Sequence, residues 1–451
     1  MMANTVREPA RDIPVIAEPD VLVAGGGAAG IAAAVAASQA GASVMLLERW
    51  GFLGGTLSAV TLGGFCGVWT VTPERLIPVV GGLFNEFADR LKQRDGITAP
   101  RRWMKVASLP YDPTLVKLVS DEMLEARGVD VLFHTWVADV LTEDGRVDSV
   151  LLENKGGRFA VRPRVVIDCT GDGDVAARAG APYELGSGGI TQFGSSMFRM
   201  ANVDMQQFGT LSRDEISQRL ETVVNEGTPL PRTMVALYPH PINGVVHLNA
   251  TKVARNDGRP FDLTDPRELS EAERVGRRQV FLYESVLRKH MPGFKDARVV
   301  DIGAQIGIRE SRLIRGDHAL TADEVLAGVK PEDGIACSAW PVELHGHGLK
   351  TVWKFLEDGE YYGIPYRAMT PVGLRNVLVA GRCISATHEA QASVRVSATA
   401  FAMGEAAGLA SVIALQHGGD VRKVDVRSLQ ARLRSQGAIL ELAEKQREST
   451  I

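Results

Sequence analysis

The segment Val21 to Arg49, "VLVAGGGAAGIAAAVAASQAGASVMLLER", has no charged side chain between Asp20 and Glu48. It constrains the fold more than any other part of the chain. Its length would suffice for a membrane-spanning helix of about 20 residues. Three consecutive glycines, Gly25 to Gly27, argue against one: each weakens a helix by about 1 kcal/mol, and together they suit a sharp turn from strand to helix. A secretory leader is disfavoured as well, because roughly twenty polar and mixed residues come first. The pattern predicts a buried strand Val21–Ala24, a glycine turn, an alanine-rich helix from about Gly30 that stops at Gly41, and a second strand "SVMLLE".

A bare GxGxxG is common, but here Gly25, Gly27 and Gly30 are followed by Ala34 a helical turn on, by Gly41 at the helix end and by Glu48 at the tip of the second strand. Each position has a task. Gly25 allows the turn, Gly27 lets backbone approach a pyrophosphate, and Gly30 and Ala34 let the helix pack closely on the strands. Ala28 and Ala29 then fall at the helix N-terminus, where free N–H groups and the positive end of the dipole favour an anion. Glu48 would accept hydrogen bonds from adenosine ribose hydroxyls and repel a 2′-phosphate, which disfavours NADP. The prediction is a dinucleotide site.

Composition agrees with a globular enzyme: 451 residues, 45% hydrophobic and 23% charged, leave room for a large core and two domains. A formal charge of −4 offers no basic field for nucleic acid. Cys66, Cys169, Cys337 and Cys383 form no CxxC pair, so neither zinc nor an iron–sulfur cluster is expected, and a cytoplasmic, reducing setting is the default. The first twenty residues read as a surface arm, and "LAEKQREST" as a fraying helix and tail.

Two further glycine-bearing segments follow strands. In "RVVIDCTGDGDVAARAGAP" a strand Val165–Asp168 leads through a tight loop into a helix from Val175. In "NVLVAGRCISATHEAQASVRVSATAFAMGEAAGLAS" a strand Val377–Ala380 leads through Gly381 and a loop into a small-residue helix from about Ser397 to Ala410. With "YDP" at Tyr111 to Pro113, "GIRESRLIRGDH" and "GIPYRAMTP", this series resembles the FAD-dependent oxidoreductases of the glutathione reductase-like and fumarate reductase-like flavoprotein superfamily. The resemblance spans nearly the whole chain.

The resemblance implies an α/β fold: a Rossmann-like FAD-binding domain of the glutathione reductase type, formed by residues 1–180 and 361–451, with an inserted mixed α+β substrate domain over 181–360. It implies Glu48 on the ribose and Arg49 beside the adenosine. Gly54, Gly55 and Thr56 fall in the loop over pyrophosphate and flavin, and Val137, on the strand "VLFHTWV", meets the adenine edge. Thr170 and Gly171 lie near the adenosine, and Gly381 and Arg382 face the ribityl and pyrophosphate. Many relatives carry an acidic residue after that glycine, whereas Arg382 would pair with pyrophosphate charge instead. Arg395, just before the long helix, reads either as a positive charge at the pyrimidine end of the flavin, alongside the helix dipole, or as a clamp on its loop. No histidine, tyrosine or cysteine precedes the double glycine in "WGFLGG", so the flavin is expected to bind non-covalently.

Between about 181 and 360 the βα rhythm gives way to mixed strands ("SSMFRM", "VVHLN") and a charged helix, "DPRELSEAERVGRRQVFLYESVLRKH". Its one glycine-rich stretch, "ELGSGGITQFG", lacks a preceding strand and a following helix. With no second nucleotide fold and no CxxxxC, a built-in NADPH site of the disulfide reductase kind is not expected. For chemistry, alternation on a strand would align Glu343, His345 and His347 for proton transfer. Arg309 would anchor a carboxylate or hydroxylated substrate, or else pair with Glu310 between domains. Arg312, His240, His247 and His318 are further candidates; His388 is preferred among the other histidines because its loop should lie near the flavin. Cys66 either faces the active site or packs. No metal ligands are expected.

The leading expectation is therefore an FAD-dependent oxidoreductase that moves a hydride between a small polar metabolite and FAD, with a separate electron acceptor or donor. The alternatives are an oxygen-using oxidase or monooxygenase, and a non-catalytic nucleotide-binding or RNA-modifying factor of similar fold. A homodimer is the default oligomer.

Overall fold

A computed structural model describes residues 5–346, 348 and 351–442. At its centre is a five-stranded parallel sheet of Val377–Val379, Val165–Asp168, Val21–Ala24, Val44–Leu47 and Asp130–Leu132, in that spatial order. Every residue of the Val21, Val44 and Val165 strands is buried. This is why they read as unbroken apolar runs and not as an alternation. Counted along the chain the order is 5-4-1-2-3, so the direction of winding reverses between the first strand and Val165–Asp168. In open α/β sheets ligands bind at that reversal, beyond the carboxyl ends of the strands.

The first strand turns at Gly25, which has φ +98, and the helix Ala28–Gln39 follows. A side chain at Gly25 would strike the Cys169 carbonyl at 2.5 Å, and one at Gly30 would lie 1.8 Å from the Gly25 carbonyl oxygen. The helix ends at Gln39, with Ala40 as C-cap and Gly41 at φ +94 just beyond.

The long C-terminal helix runs Ser397–Leu415, longer than expected and followed by the shorter helix Val426–Ser435, and packs on the first helix almost backbone to backbone: a Cβ on Gly404 would lie 2.0 Å from the Ala29 carbonyl oxygen, and one on Gly408 2.4 Å from that of Ala33. It is apolar and long enough to cross a membrane by composition, but 83% of its most apolar window is buried inside the fold. In the "YDP" tripeptide the Tyr111 hydroxyl donates to the Leu57 carbonyl (3.0 Å) and Asp112 caps the helix Pro113–Glu125.

Around this sheet lie a β-meander, Trp136–Glu143, Arg146–Asn154 and Gly157–Val161, and a four-stranded antiparallel sheet ordered Ala236–Pro239, Val246–Asn249, Phe198–Ala201, Arg298–Ile302. The second sheet and the 25-residue helix Pro266–His290 share an apolar core of their own, from Phe198 to Ala297. Buried residues from Leu320 to Met369 instead join the core of the two small-residue helices.

Several local expectations need correction. Val15–Ala17, inside the supposed surface arm, pairs in parallel with Gly157–Val161 as an edge strand. The strand holding "VLF" ends at Leu132, His134 takes a positive φ, and Val137 belongs to the next strand. A short strand, Tyr183–Leu185, does precede "GSGG" and pairs with Arg312–Ile314, since isolated β-pairing of three residues leaves little periodic trace. The loop after Gly381 contains a helix, His388–Val394, capped by Thr387. His347 and the tail beyond Leu442 lie outside the described residues.

One buried charge in this architecture titrates in reach of experiment. Glu405, within the C-terminal helix, accepts from the Leu83 N–H at the start of the helix Leu83–Lys92 (3.0 Å), while its Oε1 is buried without a partner. Burial pushes its carboxyl up to about 7. A raised folded-state pKa means the native protein holds a proton that the unfolded chain releases, so stability falls as pH rises from near 4.5 to about 7 and stays lower above. The expected loss is roughly 3 kcal/mol. Denaturant melts of wild type and Glu405→Gln at pH 5 and pH 8 check this: the variant should show a markedly smaller drop, and equal drops would disprove it.

Candidate functional site

A cavity of about 1130 Å³ opens at the winding reversal and continues under the four-stranded sheet. Its near end is built by the glycine turn. The helix Ala28–Gln39 starts with Gly27 as an N-cap that has no side-chain hydrogen bond and has no acidic residue in its first turn, so its leading N–H groups are left for a ligand. The Gly54 N–H donates to the Gly26 carbonyl (2.8 Å), which lays the Gly54–Gly55 loop along the turn; a Cβ on Gly55 would sit 2.8 Å from the Gly27 Cα. Gly25, Gly27, Ala28, Ala29, Gly55 and Thr56 line the cavity, whereas Gly30 and Gly54 stand behind it and permit these close approaches.

Glu48 is buried at the second strand's tip, accepting from Gly26 N (2.8 Å) and Trp50 N (2.9 Å). Burial raises its carboxyl, and these backbone donors work against that rise. Each oxygen keeps a further lone pair for a hydroxyl donor. Arg49 hydrogen-bonds Gln305 and lies 5.5 Å from the centroid of the Trp136 ring, closing this end together with Val137.

Thr170, Gly171, Gly381 and Arg382 complete the middle of the wall. Arg382 does not stand free to meet an anion as expected: it pairs with Asp172 (2.9 Å) and Ser311 (3.0 Å), and it holds the Asp172 carboxyl down against burial. The acidic partner stands directly after Gly171, 210 residues before Arg382 in the chain, so no local spacing reveals the pairing before folding.

The far end is where the C-terminal helix begins. Its N-cap, Val396, has no side-chain hydrogen bond, its first turn has no acid, and Val396, Ser397 and Ala400 line the cavity. The Ser397 hydroxyl and the Nε and Nη2 atoms of Arg395 are buried without hydrogen-bond partners. Among the described residues the ion pair of Arg395 is with Glu343, at 3.9 Å.

Glu343 and His345 do come together, though only Val342–Leu344 is strand and His345 lies just past it. His345 Nε2 is 3.0 Å from Glu343 Oε1, and the Thr351 hydroxyl is 3.3 Å from Nδ1. Burial and the neighbouring Arg309 push His345 well below its ordinary pKa, so it is neutral. Glu343 is held down despite burial by the hydrogen bond from His345 and by the charges of Arg395 and Arg309, so it is the ionised partner. The tautomer consistent with this carries its proton on Nε2 and leaves Nδ1 as acceptor.

Arg309 lines the cavity, but it does not pair with Glu310: it donates to the Phe193 carbonyl (2.6 Å) and Ser195 Oγ (2.8 Å), while Glu310 takes His388 (2.8 Å). His388 therefore starts a helix outside the cavity wall. Arg312 bonds Asp174 (2.9 Å), and His318 bonds Glu324 (2.9 Å), away from the wall in the latter case. His240 and His247 stack beside Asp112 and do not line the cavity.

The wall also holds residues the motifs did not single out: Trp103, Trp136, Arg213, Arg232, Tyr238, Asn249, Trp340 and Trp353. They come from separate strands and loops and, for Arg213, from the start of the helix Arg213–Asn225. A tryptophan or arginine at a strand end looks the same whether it faces solvent or a pocket.

A profile of the FAD dependent oxidoreductase family matches residues 20–433, and the chain belongs to that family. It is an FAD-dependent oxidoreductase, with FAD as its cofactor. Among solved structures it is similar to a geranylgeranyl bacteriochlorophyll reductase-like protein from Thermoplasma acidophilum (13% identity over 93% of this chain and 84% of that one, TM-score 0.46). It is also similar to p-nitrophenol 4-monooxygenase from Pseudomonas putida (14% identity, 96% and 91% covered, TM-score 0.45) and to a flavin-dependent brominase (13% identity, 93% and 83%, TM-score 0.45). Likenesses this distant say nothing of what this chain acts on.

Cys66 does line the cavity, and burial with Glu343 nearby pushes its thiol up to about 12. The thiolate is the reactive form. Iodoacetamide at pH 8 should therefore modify Cys66 of the native protein on the order of a thousandfold more slowly than free cysteine. Peptide mass mapping reads this, and rapid stoichiometric labelling of Cys66 would refute the assignment.

Proposed function

We propose that this protein transfers a hydride between a small polar metabolite and non-covalently bound FAD, and that a separate acceptor or donor completes the turnover. The observation that carries this reading is the single cavity that joins the uncapped glycine-turn helix and Glu48 to a compartment lined by Arg309, Glu343 and His345. The finer fold reading belongs with it. The parallel sheet and both small-residue helices, from 1–180 and 361–451, form an FAD-binding domain of the glutathione reductase-like and fumarate reductase-like type, and 181–360 supplies the substrate domain.

The residues present fit the cofactor. Glu48 and Arg49 would hold the adenosine, the first-turn N–H groups behind Gly27 the pyrophosphate, and Gly381 and the Gly55–Thr56 loop the ribityl chain. The free N-terminus at Ser397, with Arg395 beside it, is a positive end suited to an electron-rich ring. FAD supplies the hydride acceptor or donor. The chain's own part is placement: Arg309, fixed by the Phe193 carbonyl and Ser195, orients the substrate. Neutral His345 takes a proton at Nδ1 when Thr351 gives way, and Glu343 then stabilises the cation formed. His388 acts at one remove, keeping Glu310 on the Gln192 N–H (2.9 Å). Cys66, held as a thiol, is not an activated nucleophile for a covalent flavin link.

The test is the absorption spectrum of purified protein, followed by acid precipitation. Yellow protein that releases about one FAD per chain is expected; colourless protein that cannot be reconstituted would refute the reading. Glu48→Gln should weaken FAD by about tenfold, the loss expected when one charged acceptor becomes neutral, as read by fluorescence titration of apoprotein. Unchanged affinity would remove Glu48 from the site.

A further inference from the structure

We propose that the compartment beyond the glycine turn takes a small organic acid with a flat, unsaturated body, its carboxylate held between Arg232 and Arg309 and its body against Trp103, Trp340 and Trp353. This rests on the hydride-transfer reading above and names the class of substrate for that site.

Arg232 and Arg309 are 3% and 5% exposed, and both line the cavity. Their hydrogen bonds go to neutral groups. Arg232 donates to the Met234 carbonyl (2.5 Å) and to Asn249 Oδ1 (3.2 Å), and Arg309 donates to the Phe193 carbonyl, to Ser195 and to the same Asn249 oxygen (3.3 Å). Among the described residues neither forms an ion pair. One carboxamide oxygen thus draws two buried guanidiniums to a common point, an arrangement that two like charges adopt only at a cost.

Arg213 and Arg395 also line this end, and the carboxylates there are the buried Glu343 and the exposed Asp214, two against four arginines. Glu343 is engaged by His345 (3.0 Å) and by the indole N–H of Trp340 (3.1 Å). His345 carries no charge, so the compartment holds a surplus of positive charge. Burying an unpaired ion is costly even after relaxation, and a ligand anion offsets that cost. Guanidinium forks match a planar carboxylate through paired N–H donors.

An aromatic surface lines the same compartment. Trp103 meets Trp353 edge-on at 5.4 Å between centroids, and Trp340 meets Trp353 at 6.1 Å. Arg213 lies 3.8 Å from the Trp103 centroid, and Trp340 is tied to Glu343, so the aromatic surface is anchored beside the arginines. Indole faces favour a flat, polarisable partner by stacking. A hydrated, hydroxyl-rich ligand would leave these rings without a match.

The arginines are also separate from the elements suited to FAD. Arg232 and Asn249 belong to the segment of the four-stranded sheet, not to the glycine turn, the Gly54–Gly55 loop or the segment after Gly381.

The experiment titrates purified holoenzyme with benzoate, benzamide and acetate at fixed ionic strength, followed both by calorimetry and by change in the flavin spectrum. Benzoate should bind at least about tenfold more tightly than neutral benzamide and more tightly than acetate, which lacks the ring. Arg232→Met should weaken benzoate by about tenfold to a hundredfold with bound FAD unchanged and benzamide little affected. Arg232→Lys, which keeps the charge but not the fork, should fall between. Equal affinity for benzoate and benzamide, or no binding of any of the three, overturns the proposal. So does an Arg232→Met protein that binds benzoate normally but has lost FAD, since the arginine would then serve the cofactor. The comparison among ligands on wild type decides the matter even if a variant fails to fold. Wild type that lacks FAD yet prefers benzoate by calorimetry would sink the flavoenzyme reading while supporting this one.

Discussion

The contact between the helices Ala28–Gln39 and Ser397–Leu415 is the constraint on which the rest of this structure depends. Gly404 and Gly408 bring the later helix onto the carbonyls of Ala29 and Ala33 at distances that leave no room for a Cβ. Interiors are packed to crystal-like density, so such an approach fixes one relative position and does not slide. It brings the start of the C-terminal helix to the cavity whose near end is the start of the first helix. Two uncapped N-termini, far apart in sequence, therefore serve one pocket.

Packing alone would give a rigid but featureless pocket. What differentiates its two ends is the treatment of charge. Near the glycine turn, charged side chains are matched within the chain: Arg382 with Asp172, Arg312 with Asp174, Glu48 with two backbone donors. Under the four-stranded sheet the matching weakens: Arg232 and Arg309 are held by neutral oxygens, and Arg395 keeps two open donors with Glu343 no nearer than 3.9 Å. An electrostatic deficit of that kind is tolerable in a fold only where something else supplies the missing charge.

Local order explains which expectations held. The strand–turn–helix at Val21–Gln39 was readable because its apolar runs, its glycines and its helix stop all lie within one short window and agree with each other. The strands at Val165 and Val377, and the helix start at Ser397, were readable for the same reason. The helix His388–Val394 was not, since its seven residues follow a loop and are held by burial and by the Thr387 cap more than by any periodic pattern. Arg309 and Glu310 are adjacent and opposite in charge, yet their side chains take different partners, because neighbours in an extended loop point to opposite sides.

By itself the sequence determined a strand, glycine turn and helix unit and the chain's membership of the FAD-dependent oxidoreductase family, because these depend on spacing within a few tens of residues. Only the tertiary structure decided which charges remain unmatched and where. Arg232 precedes one strand of the antiparallel sheet, Arg309 sits in a loop after another, and Arg395 ends a helix in a different part of the chain. No pattern along the chain links them. Their meeting at one compartment follows from the way the sheet is laid over the cavity, and burial there, which no residue's neighbours in sequence reveal, turns three ordinary arginines into a site.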